Sequence, residues 1–381
     1  MFDPESHQKL KQEISSCIAA DSGVLKQLRD EIRPLKAATR KIQPRATTSL
    51  SLVGADGGNN QLQFDPYLIQ LIRVVDSSNN EYVLEAVSPT SDIAKLSARQ
   101  FDAHGKPVTR LGDLMHFLGT SSLSQLSHMI RPRGPEKLLS PSWVQVYRSL
   151  VEWAILFWLI RTKDFGTDTL IVFDGLLRSK VFAGDLFPKM LAGMKQAIDD
   201  KWAKHKRRIY LVGVAKHSKV LDRYRLAMAL EDVLRTDYPA FVEVPREVEE
   251  KAYAWQEFAR GADAEEAGKE ANKFVGGKMF LVKFGNSPRD PVWPVDIFEA
   301  QKSDAQIILG SLLADAINGF PVPLYPQCLQ KAHENAALVE FDFDVLQDHI
   351  FEGVRQSLGT QGTVLDVFQL QDDDPAQRRY G

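Results

Sequence analysis

Two hydrophobic stretches of this 381-residue chain close on an Asp-Gly pair: Leu170-Ile171-Val172-Phe173-Asp174-Gly175, and Ser49-Leu50-Ser51-Leu52-Val53-Gly54-Ala55-Asp56-Gly57-Gly58. An apolar run closed in this way reads as a buried strand that stops abruptly at a turn. Taken singly, each Asp is an ordinary turn residue. Taken together, two carboxylates on the ends of neighbouring central strands meet at the rim of a sheet. There they can hold a divalent cation over a substrate phosphate.

Three further side chains belong with them. Glu152 lies inside the stretch Trp143 to Ile160, where Val146, Tyr147, Leu150, Val151, Trp153, Ala154 and Ile155 make a helix that is apolar nearly all round and due for burial. A buried carboxylate needs a partner or takes up a proton. Arg148, one turn back, is one partner; a cation shared with Asp56 and Asp174 is the other. Both readings stand open at this point. Lys216 follows the strand-like run Ile209 to Ala215 and would put a positive charge at a strand end, suited to a phosphate or a developing oxyanion, or else would simply cap a surface loop. His333, in Lys331-Ala332-His333-Glu334, sits on a late helix, where a lone histidine is commonly structural or exposed.

The elements that must position these residues follow from periodicity. Residues 5 to 40 read as a helical arm with Leu10, Ile14, Ile18, Leu25, Leu28 and Ile32 at helical spacing, interrupted near Asp21-Ser22-Gly23. The Ser49 strand is followed by two β-rich runs, Pro66 to Val75 and Glu81 to Val87, joined by a turn cluster at Asp76 to Asn80 as a hairpin. Short helices are expected over Leu111 to Leu118 and Leu123 to Ile130, then a basic loop at Arg131-Pro132-Arg133-Gly134-Pro135. A helix over Gly184 to Lys204 ends in the basic cluster His205-Lys206-Arg207-Arg208, read as a charged face complementing the helix dipole. Val220 to Phe274 reads as a helical insertion or flap poor in core residues. Strands at Lys278 to Phe284 and Val292 to Phe298 and a helix at Asp304 to Asn318 lead to the Pro-broken segment Gly319 to Leu324.

Composition narrows the classes. With 44% hydrophobic and 25% charged residues the chain has the make-up of a globular protein. A net charge of −3 gives no overall positive field, so any nucleic-acid contact must use local basic patches. Cys17 and Cys328 fit no zinc spacing. The start lacks a secretory pattern and the uninterrupted apolar part of the Trp143 helix is too short to span a bilayer, so a cytoplasmic protein without a membrane segment is expected. No G-x-x-x-x-G-K-[ST] phosphate loop occurs, so movement along DNA would need a separate ATPase.

The order of these parts resembles the NurA nuclease family over about Thr47 to Leu338: Asp56-Gly57, Glu152 in a buried helix, Asp174-Gly175, Gly213-Val214-Ala215-Lys216, then Gly319-Phe320-Pro321 with Ala332-His333-Glu334 behind it. The resemblance implies an α/β fold with an RNase H-like mixed β-sheet core flanked by helices. It divides the chain into an arm at 1–45, a nuclease domain at 46–345 with the insertion at 220–275, and a C-terminal helix and disordered tail at 346–381. It implies a homodimer that degrades DNA with Mn²⁺ or Mg²⁺, working with a HerA-type hexameric ATPase in DNA end resection, repair or phage defence. By position, Asp56, Glu152 and Asp174 match the acidic metal ligands, Lys216 the strand-end lysine and His333 the C-terminal histidine. Two departures show: Gly58 stands where the first motif carries serine, and Phe320 where the Gly-Tyr-Pro motif carries tyrosine, with a lengthened gap to His333. Tyr325 is the nearby residue able to supply a hydroxyl. The Phe320 departure supports an alternative, a catalytically weak DNA-binding clamp or adaptor for the translocase; an RNase H-like enzyme acting on RNA or a hybrid is a third.

Overall fold

The computed structural model describes residues 3–20, 22–45, 48–54, 61–64, 67–131, 142–257, 271–338, 340–359 and 362. Asp56 with its two following glycines, most of the basic loop after Arg131 and the acidic tail lie outside them.

The strand β2 (Thr48–Gly54) pairs in parallel with β6 (Thr169–Asp174), and β6 in parallel with β7 (Ile209–Val214). On the other side of β2 runs the long antiparallel β4 (Tyr67–Asp76), which carries β5 (Glu81–Val87) and the short β3 (Gln61–Phe64). The order β5–β4–β2–β6–β7, with the last three parallel, is the mixed α/β sheet the sequence suggested, with β3 added. Beyond β7 the sheet continues antiparallel through β10 (Val292–Phe298), β9 (Gly277–Lys283), β8 (Ala240–Glu243) and β1 (Arg40–Lys41). The turn cluster behaves as expected. Asp76 is fully buried and accepts from the Ser78 and Asn80 backbone N–H groups, from the Asn80 side chain and from the Tyr82 hydroxyl, locking the β4–β5 hairpin.

Side chains alternate across β6, and so define two layers. Ile171 and Phe173 face a core built with α7 (Ser142–Thr162), α5 (Arg110–Leu118) and α8 (Leu186–His205). Leu170 and Val172 face a second core with α11 (Ala305–Ala316) and α12 (Gln327–Ala336). Short helices α4 (Ile93–Ala98) and α6 (Leu123–Leu126) complete the first layer, the former unforeseen and the latter shorter than expected.

Residues 220–257 correct, for the described part of 220–275, the reading of a core-poor flap. Here α9 (Lys219–Leu230) contributes Val220, Leu221, Tyr224 and Met228 to a third core, together with Val242 of β8 and Val248 of α10 (Arg246–Glu257). Its apolar residues are few but fall on the inner faces, so mean composition concealed them. Of the arm, α2 (Ser22–Ile32) docks on this unit. Arg29 and Arg33 reach Glu231 at 2.6 and 2.7 Å, and the Tyr224 hydroxyl donates to Glu31 at 2.6 Å. The preceding α1 (Pro4–Ala20) buries nothing and leaves Leu10, Ile14 and Ile18 exposed. At the far end α13 (Glu340–Leu358) follows α12. Among the described residues no helix is long and apolar enough to cross a membrane.

Candidate functional site

Parallel pairing decides where the strand-end residues go. Leu52 is in register with Phe173, and Phe173 with Gly213, so β2, β6 and β7 all end at one rim. Asp174 is the last residue of β6, and Lys216 lies two residues beyond β7 at the same edge. Asp56 follows β2 by two positions in the sequence but lies outside the described residues.

Two glycines shape this edge. Gly175 turns the chain with φ of 129°, a conformation L side chains rarely adopt. The turn it starts passes directly over Gly213, where an added Cβ would sit 2.3 Å from the Gly175 carbonyl oxygen. The glycine in Gly213-Val214-Ala215-Lys216 therefore makes room for the Asp174 turn.

Glu152 reaches the rim from the helical layer. Its neighbour Trp153 packs on Phe173 with ring centroids 5.0 Å apart, so this part of α7 lies over the end of β6. Of the two readings of this carboxylate, the pair with Arg148 is present at 3.3 Å, and the Asp174 charge also acts on it. Burial first and Asp174 second raise the Glu152 carboxyl to about 7, against the opposing pull of Arg148. Burial, not Asp174, is the larger of the two raising influences.

From the opposite layer comes Tyr325, 2% exposed, whose hydroxyl donates to Asp174 Oδ1 at 3.2 Å. The alternation that puts Asp174 on the face of Leu170 and Val172 accounts for this reach. Burial and the Asp174 charge push the phenol well above its ordinary value, so it stays a neutral donor. Its ring is held edge-on by Trp293 at 4.9 Å, whose indole N–H donates to the Leu324 carbonyl at 2.6 Å. The Lys216 ammonium stands 5.8 Å from the same ring.

Phe320 is 77% exposed, whereas the hydroxyl on Asp174 comes from Tyr325, the nearby residue the sequence offered for it. The preceding Leu324 has φ of 60°, the left-handed conformation a glycine adopts with least strain. Trp293, the support behind the tyrosine, carries no signal in the sequence.

His333 lies on α12, which crosses β2, β4 and β6 and is tied to β4 by a hydrogen bond from Asn335 Nδ2 to the Asp76 carbonyl at 3.2 Å. Its own side chain is partly exposed and makes no hydrogen bond among the described residues. The structure thus brings Asp174, Tyr325 and Lys216 together, pairs Glu152 with Arg148 where the Asp174 charge acts on it, leaves His333 apart from their contacts, and does not describe Asp56. Among the described residues no three His, Cys, Asp or Glu side chains cluster as metal ligands. Glu152 and Asp174 are nevertheless an all-oxygen donor pair of the kind hard divalent cations take, and a cation between them would offset their mutual repulsion.

A second cluster braces the turn after Asp174. Arg178 grips the fully buried Asp296 of β10 with two hydrogen bonds, of 2.7 and 2.8 Å, and meets Glu249 of α10 at 2.8 Å. Nothing in the local sequence around Arg178 points to partners so far along the chain.

No protein-family model matches the chain, and no curated protein matches it. Among solved structures it is similar to the crystal structure of the NurA nuclease from Sulfolobus solfataricus, with 10% identity and a TM-score of 0.41 over 94% of this chain and 99% of that one. It is also similar to a second crystal structure of NurA, with 12% identity and a TM-score of 0.35 over 99% and 100% of the two chains. The family named by these two structures is the one the motif order resembles.

Proposed function

We propose that this chain is a metal-dependent deoxyribonuclease that hydrolyses phosphodiester bonds at the rim formed by β2, β6 and β7. What supports the reading is the strand-end rim itself: β6 and β7 end side by side, Tyr325 donates to Asp174, Lys216 stands beside the Tyr325 ring, and the Asp174 charge acts on the buried Glu152. A buried carboxylate so placed is costly to a fold and useful to a cation site. Asp56, Glu152 and Asp174 would hold Mn²⁺ or Mg²⁺. When bound, the cation supplies the Lewis acid that activates water and neutralises charge on the phosphate.

The side chains of the chain divide the remaining work. Tyr325, donating to Asp174, helps to fix that carboxylate's orientation. Arg148 holds Glu152 from the other side and limits its protonation. Lys216 is placed to bind a non-bridging phosphate oxygen and to stabilise the charge that grows there. His333 contacts a neighbouring phosphate or carries a proton to the leaving oxygen. The wider reading is a homodimer acting with a HerA-type hexameric ATPase in end resection, repair or phage defence. It rests on the motif resemblance and on the absence of a phosphate loop from the sequence. The alternative of a weak clamp draws its support from Phe320; the hydroxyl of Tyr325 on Asp174 supports the active reading instead.

The test is digestion of linear DNA by the purified chain with manganese. Loss of digestion in Asp56→Ala and in Asp174→Ala is the expected result; digestion that persists in both variants overturns the proposal. Competing RNA and hybrid duplexes in the same reaction separate a deoxyribonuclease from other RNase H-like enzymes.

A further inference from the structure

The opposite rim of the sheet carries a basic and aromatic corner that the hydrolytic reading does not use. Here α8 ends in Lys201-Trp202-Ala203-Lys204-His205-Lys206-Arg207-Arg208 and the chain turns into β7. Arg208 marks the edge: its carbonyl accepts from the Thr169 backbone N–H at 2.9 Å, at the start of β6. Six-residue strands put this corner roughly 20 Å from Asp174, at about 3.3 Å per residue.

Trp202 is 42% exposed. The Arg208 guanidinium lies 4.9 Å and the Lys206 ammonium 5.6 Å from its ring. Some of the surrounding charge is spent locally. Lys201 Nζ donates to the Lys163 carbonyl at 2.5 Å, Arg207 meets Asp164 at 3.3 Å, and Asp168 accepts from the Arg208 backbone N–H at 2.7 Å. Lys206 and Arg208 are exposed beside the indole, Arg208 also donating to the Tyr210 hydroxyl at 3.3 Å, and Lys204 and His205 are exposed on the same helix end. Compensating the helix dipole accounts for one or two cations in the last turn. It does not account for a large, 42% exposed indole with two cations beside its ring.

We propose that this corner binds single-stranded nucleic acid, with a base stacking on Trp202 and flanking phosphates on Lys204, Lys206 and Arg208. Every base offers a π-face to an aromatic ring, and cations beside the ring meet the phosphates that flank a stacked base. Because the net charge of the chain is −3, a local patch is the only means it has of attracting a polyanion. An acidic protein partner would need the cations but not the indole. The claim concerns binding alone and stands apart from the chemistry at Asp174.

The experiment is fluorescence anisotropy of a labelled oligothymidine with the full chain in chelator, so that no strand is cut, across a range of salt. Trp202→Ala is expected to weaken single-strand binding about 5- to 100-fold, as for loss of one stacked base, while Trp202→Phe keeps most of the affinity. Lys204→Gln with Lys206→Gln is expected to lower the slope of log affinity against log salt by about 1.4, at roughly 0.7 per single-strand phosphate contact. The lysine pair lies on an exposed helix end, so it serves even if Trp202→Ala does not fold. Unchanged affinity and salt slope in these variants overturn the proposal. So does an equal loss on duplex DNA of the same length, where no base is free to stack.

Discussion

Replacing Glu152 with glutamine should remove a pH-dependent instability built into the metal-free site. In the folded chain this carboxyl holds its proton to about 7, against an ordinary value of 4.5. The unfolded chain releases it at the lower value. Between the two, the folded state binds more protons, so stability is fully present below about pH 4.5 and falls as pH rises toward 7. The gap of about 2.5 units at roughly 1.4 kcal/mol per unit gives a loss of about 3 kcal/mol, an upper figure because the side chain is 15% exposed. Urea unfolding in chelator at about pH 5 and about pH 8 measures it. The wild type should lose up to about 3 kcal/mol over that range, and Glu152→Gln should lose little. Excess manganese should restore the wild type at about pH 8, by about 2.7 kcal/mol at a hundredfold excess over the dissociation constant. Glu152→Gln should gain less. Equal pH slopes in the two proteins, or equal gains from manganese, would refute the idea that burial, with Asp174 adding to it, raises the carboxyl of Glu152 at a cation site.

Other expectations follow from the same geometry. Tyr325→Phe removes the donor to Asp174 and should cost about 1–2 kcal/mol in thermal unfolding and lower DNA digestion, whereas Phe320→Ala should leave both near wild type. The reverse pattern would restore the Gly319-Phe320-Pro321 placement. Gly213→Ala should destabilise by about 1–3 kcal/mol in denaturant unfolding and reduce digestion, because its Cβ meets the turn that follows Asp174. Arg178→Met leaves Asp296 and Glu249 buried without their cation and should cost about 3–5 kcal/mol in the same assay; a loss below about 1 kcal/mol would contradict the bracing role.

Much of the site was legible because it depends on strand ends. Apolar runs that stop at Asp174-Gly175 or after Gly213 announce their rim in one dimension, and parallel pairing then brings the ends together. The crowding of Glu152 was legible as an anomaly, a charge in an apolar helix, though not its shared allegiance to Arg148 and Asp174. Tyr325 was harder to place. Glycine and proline letters drew the motif to Phe320, whereas the backbone takes its left-handed turn at Leu324, a residue type that does not advertise it. The β8 and α10 wing stayed hidden because a four-residue strand and a charged helix bury only one narrow face each. Partners distant in sequence, such as Arg178 with Asp296 or Trp293 with Tyr325, are created by the fold and leave no local pattern.

The account stands or falls on where a divalent cation binds. Anomalous diffraction from crystals of the chain soaked in manganese would locate it. The account predicts a peak within coordination distance of Asp174 and Glu152, with Asp56 as a further ligand, and no such peak in Asp174→Asn. Manganese bound elsewhere, with Glu152 still paired only to Arg148, would contradict it.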